Sequence, residues 1–228
     1  MLTLSLSCLF FLLTHLGISS TGLRPWLVSV VGESIYLIGY SILAFVPLGV
    51  MIHSYIHLDH NPDLWRITAA HQLIAKLIMP LALVFLVAGL MSKNPTGVKM
   101  EELVHEVTGY RMPGILKITR HPVQWGILLW AIAHLLGNSD LASLVFFCTF
   151  ALLAFLGTIA MDLKHRDSQD PDWQAFYALT SNVPFAGLLA GKTRLAFGDV
   201  NWAAVIIGLT LYATVYYYHG LISGVSLM

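Results

Sequence analysis

Three histidines, His15, His71 and His134, lie inside or at the ends of long apolar stretches that are typical of membrane spans. A side chain that can ionise costs about 2.5 kcal/mol or more at a bilayer centre, so such residues usually serve a function there. A neutral imidazole is a good ligand for haem iron, and two of them on facing helices could hold one porphyrin. For any single histidine, the alternative is a hydrogen bond to the backbone of a neighbouring helix. Three such histidines in one chain weigh against that alternative without excluding it, so a haem site within the membrane is one of two interpretations of the pattern.

The elements that must position these histidines follow from composition. The 228 residues are 57% hydrophobic and 11% charged, and the mean hydropathy is +0.75. These values indicate a polytopic membrane protein and exclude an ordinary soluble domain. Crossing a bilayer core takes roughly 20 helical residues. The apolar stretches comprise residues 2–18, 35–56, 70–91, 123–137, 141–161 and 200–222. They predict an all-α bundle of about six transmembrane helices, forming a single membrane domain over residues 1–228.

Lysine and arginine are distributed unevenly if these spans alternate in direction. Arg66 and Lys76 fall on one side, and the other side carries the rest. By the positive-inside rule the basic side is cytoplasmic and both termini are periplasmic, as expected for a multi-pass protein of a bacterial inner membrane. No basic run is interleaved with aromatic residues, so a nucleic-acid partner is not expected. The cytoplasmic basic residues are Arg24, Lys93, Lys99, Arg111, Lys117, Arg120, Lys164, Arg166, Lys192 and Arg194.

The fourth span begins with a polar string, Arg120-His121-Pro122, and carries His134 about three turns further on. Proline is tolerated in the first helical turn, where its missing N–H would be unpaired anyway. Arg120 and His121 are therefore expected at the cytoplasmic headgroup level, either anchoring the helix end or binding an anionic group. Small residues near His134 would let another helix or a flat cofactor come close. These small residues are Gly126, Ala131 and Gly137.

A second histidine cluster closes the second span on its outer side. His53 and His57 are four residues apart, so they lie one above the other on a helix. Together with His60, Asp59 and Asp63 they form either a metal clip or an ordinary set of interfacial polar residues.

The predicted cytoplasmic loops hold most of the polar sequence. One loop carries His105 between glutamates, as either a solvated amphipathic turn or part of a binding site. In the next loop, Asp170 followed by Pro171 predicts a helix start, which would end before Pro184. The aromatic residues of this helix, expected at the membrane interface, are Trp173, Phe176 and Tyr177.

Nearly the whole chain resembles the NnrU family, which includes the 15-cis-zeta-carotene isomerases. The segments that carry the resemblance are His15 with Leu23-Arg24, Gly32-Glu33, His57 to Leu64-Trp65, Ile118-Thr119-Arg120-His121-Pro122, Ala133-His134, Gly137-Asn138-Ser139, Asp162 and Val183-Pro184-Phe185. Members are polytopic membrane proteins. The isomerase branch binds haem b through histidines that match His15 and His134, so the resemblance selects these two as iron ligands.

Two departures from the isomerases bear on activity. Three residues before the histidine that matches His134, the isomerases have a cysteine that is implicated in a redox-dependent change of iron ligand, and this chain has Ala131 there. Their first motif begins His-Ser-Gly, which is His15-Leu16-Gly17 here. The departures favour the bacterial branch, which is associated with nitric oxide metabolism in denitrification, over a haem-dependent cis-trans isomerase of a carotene. The expected partners are the lipid bilayer, a small hydrophobic substrate or nitric oxide, and a membrane redox partner.

Depth within the membrane is the physical objection to this ligand pair. With alternating spans, His15 and His134 would differ in depth by roughly 15 Å at 1.5 Å per residue. A tilted or re-entrant fourth helix would relieve the difference, and His71 is the alternative partner for His134. With both axial positions filled, the iron would transfer electrons or sense redox state. Arg120, His121 and Asp162 are expected to bind the cofactor too, with Arg120 and Asp162 pairing to hold a haem propionate or a substrate.

A more distant similarity is to membrane methyltransferases of the isoprenylcysteine and phospholipid type. They share an Arg-His-Pro entry into a span and an acidic residue at the next cytoplasmic helix end. Their Glu-Glu pair is absent at Asp162, which weakens an S-adenosylmethionine site and leaves methyl transfer as the least favoured activity. The matching residues are Arg120-His121-Pro122, Asp162, Trp173, Phe176-Tyr177 and Pro184.

Overall fold

The computed structural model describes residues 1–19, 21–58, 61–97, 100–108 and 112–224. Within these ranges the chain is helical, with no strand apart from an isolated bridge between Asp63 and Asp140. The helices are α1 (Leu2–Thr14), α2 (Leu23–Val31), α3 (Glu33–Ile56), α4 (Ala69–Leu90), α5 (Val104–Val107), α6 (Gly114–Ile118), α7 (Pro122–Gly137), α8 (Leu141–His165), α9 (Pro171–Leu179), α10 (Ala186–Leu189) and α11 (Trp202–Ser223).

Four of these helices, α3, α4, α8 and α11, are long and apolar enough to cross a membrane. A fifth span results if residues 2–18 and α2, which are bent by 82°, are counted as one. The expected fourth span, α7, has 16 residues and is shorter than the others. At 1.5 Å per residue α7 extends about 24 Å, less than a hydrocarbon core of about 30 Å. The structure thus supports a multi-pass helical membrane protein in which four or five of the described helices could be spans. The predicted number of six spans and the orientation of the termini stay predictions.

The described chain divides into two compact units. The first unit comprises Met1–Ala75 and Ala131–Lys164, and the second comprises Lys76–Trp130 and His165–Met228. In the first unit, α1 packs along α3, and its buried face includes Leu4, Cys8 and Phe11. The prediction of a single bundle is not tested by this division.

A polar cluster fastens the loop after α3 to the start of α8 in the first unit. Asp140 precedes α8 and accepts hydrogen bonds from the amide and hydroxyl of Ser143 and from the Asn61 side chain. The Tyr55 hydroxyl extends the cluster to α3 by bonding Ser143 at 2.8 Å. Burial alone would raise the pKa of Asp140, but these hydrogen bonds outweigh it and lower that pKa. The cluster therefore holds an ionised carboxylate at the helix start, as an N-cap residue should.

Glycines bring three helices of the second unit into close contact. A Cβ on Gly126 of α7 would lie 2.8 Å from the backbone nitrogen of Leu86 in α4. A Cβ on Gly208 of α11 would lie 2.9 Å from the Cα of Val84, also in α4. Such distances leave no room for a side chain, so the backbones themselves are in contact. This is how membrane helices commonly associate, since lipid provides no hydrophobic force to drive packing.

Polar loops of the second unit fold into a small apolar cluster. The prediction of a helix start at Asp170 and Pro171 is confirmed, because the Asp170 carboxylate accepts from the Asp172 amide at 2.9 Å and α9 begins at Pro171. That Trp173 and Phe176 lie at the level of the membrane interface stays a prediction. Both are buried among apolar side chains of α5 and α6, which shield them from both lipid and water. The cluster consists of Val104, Val107, Leu116, Trp173 and Phe176.

Candidate functional site

His15 stands where α1 changes into a single π-helical turn, which runs from His15 to Ser19. Its Nδ1 is 2.8 Å from the carbonyl oxygen of Phe11. A carbonyl can only accept, so Nδ1 carries the proton and Nε2 carries the lone pair. Histidine ligands of metals commonly have this arrangement, because the bond to Nδ1 fixes both tautomer and ring orientation. Isolated π-helical turns also occur frequently at functional sites.

A row of aromatic rings extends from His15 along α8. The ring of Phe11 lies 4.1 Å from His15 and 5.9 Å from Phe150, measured between centroids. On the same helix, Phe147 stacks on His134 at 4.5 Å and 21°. Phe147 and Phe150 are three residues apart, about 4.5 Å along the axis of α8. His134 thus contacts α8 directly at Phe147, and His15 is linked to the same turn of α8 through Phe11 and Phe150.

The small residues near His134 have different roles. Gly126 provides the close contact of α7 with α4 and so makes room for a helix. Ala131 is fully buried. Gly137 has no atom within 4 Å of where its Cβ would be, so space remains at the end of α7 that carries His134. Of the three, Gly137 is the one beside which a flat group could fit.

His71, the alternative ligand, has the opposite tautomer. Its Nδ1 accepts a hydrogen bond from the backbone N–H of Thr68 at 3.3 Å, and its own amide donates to the Thr68 hydroxyl. An amide can only donate, so Nδ1 holds the lone pair and Nε2 carries the proton. These reciprocal bonds cap the first turn of α4, which is a structural role. Iron ligation by His71 would require the cap to break.

Arg120 and His121 are buried rather than exposed at a headgroup region. Arg120 is 7% exposed and His121 is 0% exposed. The Arg120 guanidinium lies 4.1 Å from the centre of the Tyr177 ring and donates to the Thr180 carbonyl at 3.2 Å. Contact with an aromatic face compensates the desolvated cation in part. The surrounding protein therefore holds the Arg-His-Pro string in place from several sides.

Backbone and hydroxyl groups complete this buried polar region. The hydroxyl of Thr96 donates to the carbonyl of Arg120 at 2.7 Å, and the hydroxyl of Thr119 donates to the carbonyl of Asn182. The amide of Arg120 donates to the carbonyl of Ser181 at 2.9 Å. Threonine and serine are too common in loops for these contacts to be found by sequence reasoning. Asp162 belongs to the first unit and Arg120 to the second, and their pairing stays a prediction.

The outer histidines do not form a metal clip among the described residues. The rings of His53 and His57 stack on each other at 4.3 Å, and His57 Nδ1 bonds the carbonyl of His53. Asp63 accepts from the Ser139 hydroxyl at 2.6 Å. His60 and Asp59, which completed the predicted cluster, lie outside the described residues. The described side chains are therefore engaged in local contacts.

In the polar loops, His105 joins α5 to α9 through Asp172, which also accepts from the Thr108 hydroxyl at 3.0 Å. With Asp170, these two are the one set in the described chain whose ligand atoms are close enough for a metal, within 4.8 Å of one another. Asp170 also caps α9. The local hydrogen bonds account for all three side chains without an ion.

A pH dependence follows from this contact. The hydrogen bond with Asp172 raises the pKa of His105 above its ordinary 6.5, and the same bond lowers the pKa of Asp172 below its ordinary 3.8. The protonated form of His105 stabilises the fold through this contact. That contribution is complete below pH 6.5 and is lost as the pH rises through the raised pKa of His105. The ionised carboxylate of Asp172 contributes its share of the stability above pH 3.8, and this share is lost as the pH falls through the lowered pKa of Asp172. Nuclear magnetic resonance titration of His105 should give a pKa above 6.5, and Asp172→Asn should bring it back towards 6.5. An unchanged pKa in that variant would refute the assignment.

The first unit meets the chemical requirements of a haem site on two points. His15 has a lone pair on Nε2 and its ring is fixed through Nδ1. Aromatic rings contact both predicted ligands, Phe11 and Tyr40 at His15 and Phe147 at His134, and such rings are typical of cofactor pockets. The fit of His15 and His134 to haem therefore rests on donor chemistry and on an apolar setting.

Comparison with known proteins assigns the family. The family model described as NnrU protein matches residues 3–227. The chain belongs to the NnrU family. The chloroplastic 15-cis-zeta-carotene isomerase of Arabidopsis thaliana is 32% identical to this NnrU chain over 123 residues, which is 50% of the chain and 32% of the isomerase. The chain thus spans about a third of that relative's length. No solved structure matches the NnrU chain.

Proposed function

We propose that this NnrU-family chain is a haem b protein of the bacterial inner membrane, with His15 and His134 as axial ligands. The hydrogen bond from His15 Nδ1 to the Phe11 carbonyl is the observation that supports it most, because it leaves the nitrogen that binds iron with its lone pair. His134 supplies the second imidazole, held against the face of Phe147. The roles of Arg120, His121 and Asp162 in binding an anionic propionate or a substrate stay predictions from the sequence.

The function proposed for such a centre is that of a redox or nitric-oxide-metabolism accessory protein. Haem b held by two histidines supplies reversible one-electron transfer. The chain's own contribution is an apolar site in which Phe11 and Phe147 exclude water and orient the two imidazoles. A small hydrophobic substrate or nitric oxide, and a redox partner in the membrane, complete the proposal.

Carotene cis-trans isomerisation is the second candidate, because the matched relative carries that name. If the chain is an enzyme, this activity is favoured over methyl transfer. Ala131 stands where the isomerases have a cysteine, and it is fully buried in an apolar helix. Alanine has no group that can ligate iron, so a change of ligand at this position is not available to the chain. The accessory role is favoured for that reason.

The deciding experiment is a reduced-minus-oxidised absorption spectrum of the detergent-purified protein, with a pyridine haemochrome assay. A b-type spectrum at about one haem per chain is expected. The same preparation is then assayed with nitric oxide and with a poly-cis carotene, which separates the two candidate functions. A well-folded protein without haem would refute the proposal, and binding of S-adenosylmethionine by that protein would support a methyltransferase instead.

A further inference from the structure

A half-open cavity of about 350 Å³ lies in the second unit beside the C-terminal half of α4. Its wall is mainly apolar and includes Phe85 and Phe185, whose rings meet edge to face at 6.5 Å. Polar residues, Ser92, Lys93 and Asp199, line its mouth. Ligand pockets typically measure about 300–1,000 Å³ and combine an apolar wall with a few polar groups. The cavity has the size and the lining of a ligand site.

Two backbone features shape the walls of this cavity. Phe185 has a φ of 64°, a left-handed conformation that a bulky residue rarely adopts. Its amide bonds the Ile118 carbonyl at 2.8 Å, and its carbonyl accepts from Leu189 at 3.0 Å, so the strained backbone is held from both sides. On another wall, a Cβ on Gly114 would lie 2.5 Å from the backbone oxygen of Asp199. Glycine there permits α6 and the segment around Asp199 to approach.

The charges at the mouth differ in how firmly they are paired. Asp199 bonds Lys117 at 2.7 Å and also accepts from the Ala196 amide, and its side chain and that of Lys117 are only 27% and 17% exposed. Lys93 pairs with Glu106, but these side chains are 65% and 52% exposed. Exposed pairs contribute little because water screens them. Lys93 is therefore the charge that an anionic ligand can capture by displacing Glu106.

We propose that this cavity binds one anionic phospholipid of the surrounding bilayer. The acyl chain lies against Phe85 and Phe185, and the phosphate is bound by Lys93. Leu81 lines the cavity nine residues before α4 ends at Leu90, about 13.5 Å along the helix axis, and Lys93 lines it just beyond that end. The cavity therefore extends from the apolar part of α4 to its polar end. Basic pockets beside membrane helices bind lipid head groups in this way. The proposal does not depend on haem.

The test is native mass spectrometry of the purified full-length protein titrated with phosphatidylglycerol or phosphatidylcholine. Wild type should bind one phosphatidylglycerol about 5- to 10-fold more tightly than phosphatidylcholine. Lys93→Gln should remove this preference. Leu81→Trp should weaken both lipids by filling the apolar part of the cavity, and Leu81 is 51% exposed, so the larger side chain can be accommodated without unfolding.

Matched controls lie outside the cavity lining, on and just after α10. Lys192→Gln removes an exposed lysine, and Leu189→Trp enlarges a leucine that is 88% exposed. Both controls should bind phosphatidylglycerol like wild type. Equal affinity of the wild type for the two lipids would contradict the preference for an anionic headgroup. Unchanged binding in Lys93→Gln and Leu81→Trp would show that the lipid does not bind in this cavity. Co-purification of an apolar molecule without phosphorus in the cavity would show that its ligand is not a phospholipid.

Discussion

Replacing His15 with alanine should remove haem b from the purified protein, whereas replacing His71 should leave it bound. His15 presents Nε2 with a lone pair because Nδ1 donates to the Phe11 carbonyl. His71 has the opposite tautomer because Nδ1 accepts from the Thr68 amide. The imidazole whose Nε2 already holds the lone pair is the better ligand. Loss of a group that merely supports a metal ligand already weakens binding at least about tenfold. We therefore expect haem content in His15→Ala, where the ligand itself is lost, to fall at least about tenfold.

The measurement is the pyridine haemochrome content per chain of wild type, His15→Ala, His134→Ala and His71→Ala. His57→Ala serves as a matched control, because His57 bonds the carbonyl four residues before it as His15 does, but its side chain is exposed. Thermal unfolding of each variant separates ligand loss from misfolding. Loss of haem in His71→Ala with retention in His15→Ala would assign the ligand pair to His71 and His134.

A leucine at position 126 should destabilise the second unit more than any other glycine replacement in α7. The Cβ alone would lie 2.8 Å from the Leu86 nitrogen and 2.9 Å from the Ala82 carbonyl oxygen. Backbone atoms of a helix cannot move aside individually, so α4 and α7 would have to separate. Overpacking of this kind typically costs about 1–3 kcal/mol. We expect a fall of several degrees in the unfolding temperature, at about 2–4 °C per kcal/mol for a chain of this size.

Gly137 provides the matched control, since it lies on the same helix with nothing within 4 Å of its Cβ position. Gly137→Leu should unfold within about one degree of wild type. Gly126→Ala should lie between Gly126→Leu and wild type, because one methyl group requires a smaller separation. The unfolding temperatures are followed by circular dichroism in the same detergent. Equal values for Gly126→Leu and Gly137→Leu would contradict the close contact of α4 with α7.

Composition and local pattern determined the class of the protein, its family resemblance and several helix ends. Long apolar stretches predict spans because each residue in a bilayer must satisfy its backbone within the helix. The cap at Asp170 is equally local, since the carboxylate and the amide it accepts from are two residues apart. The resemblance to the NnrU family, carried by segments spread along the chain, is confirmed by the match over residues 3–227.

Only the tertiary structure decided how the polar residues are used. The sequence placed Arg120 at a headgroup region because it precedes a span, but Tyr177 and Thr180, about sixty residues later, cover its guanidinium. The tautomers of His15 and His71 are a local property by comparison, because each ring bonds a backbone group no more than four residues away. The length of α7, 16 residues, is less than a full span usually needs, and it matches the short apolar stretch at residues 123–137. Hydrophobic length is a property of one continuous stretch, and helix caps and these two tautomers depend on residues within about one helical turn. Burial of a charge depends instead on partners that only folding brings into contact.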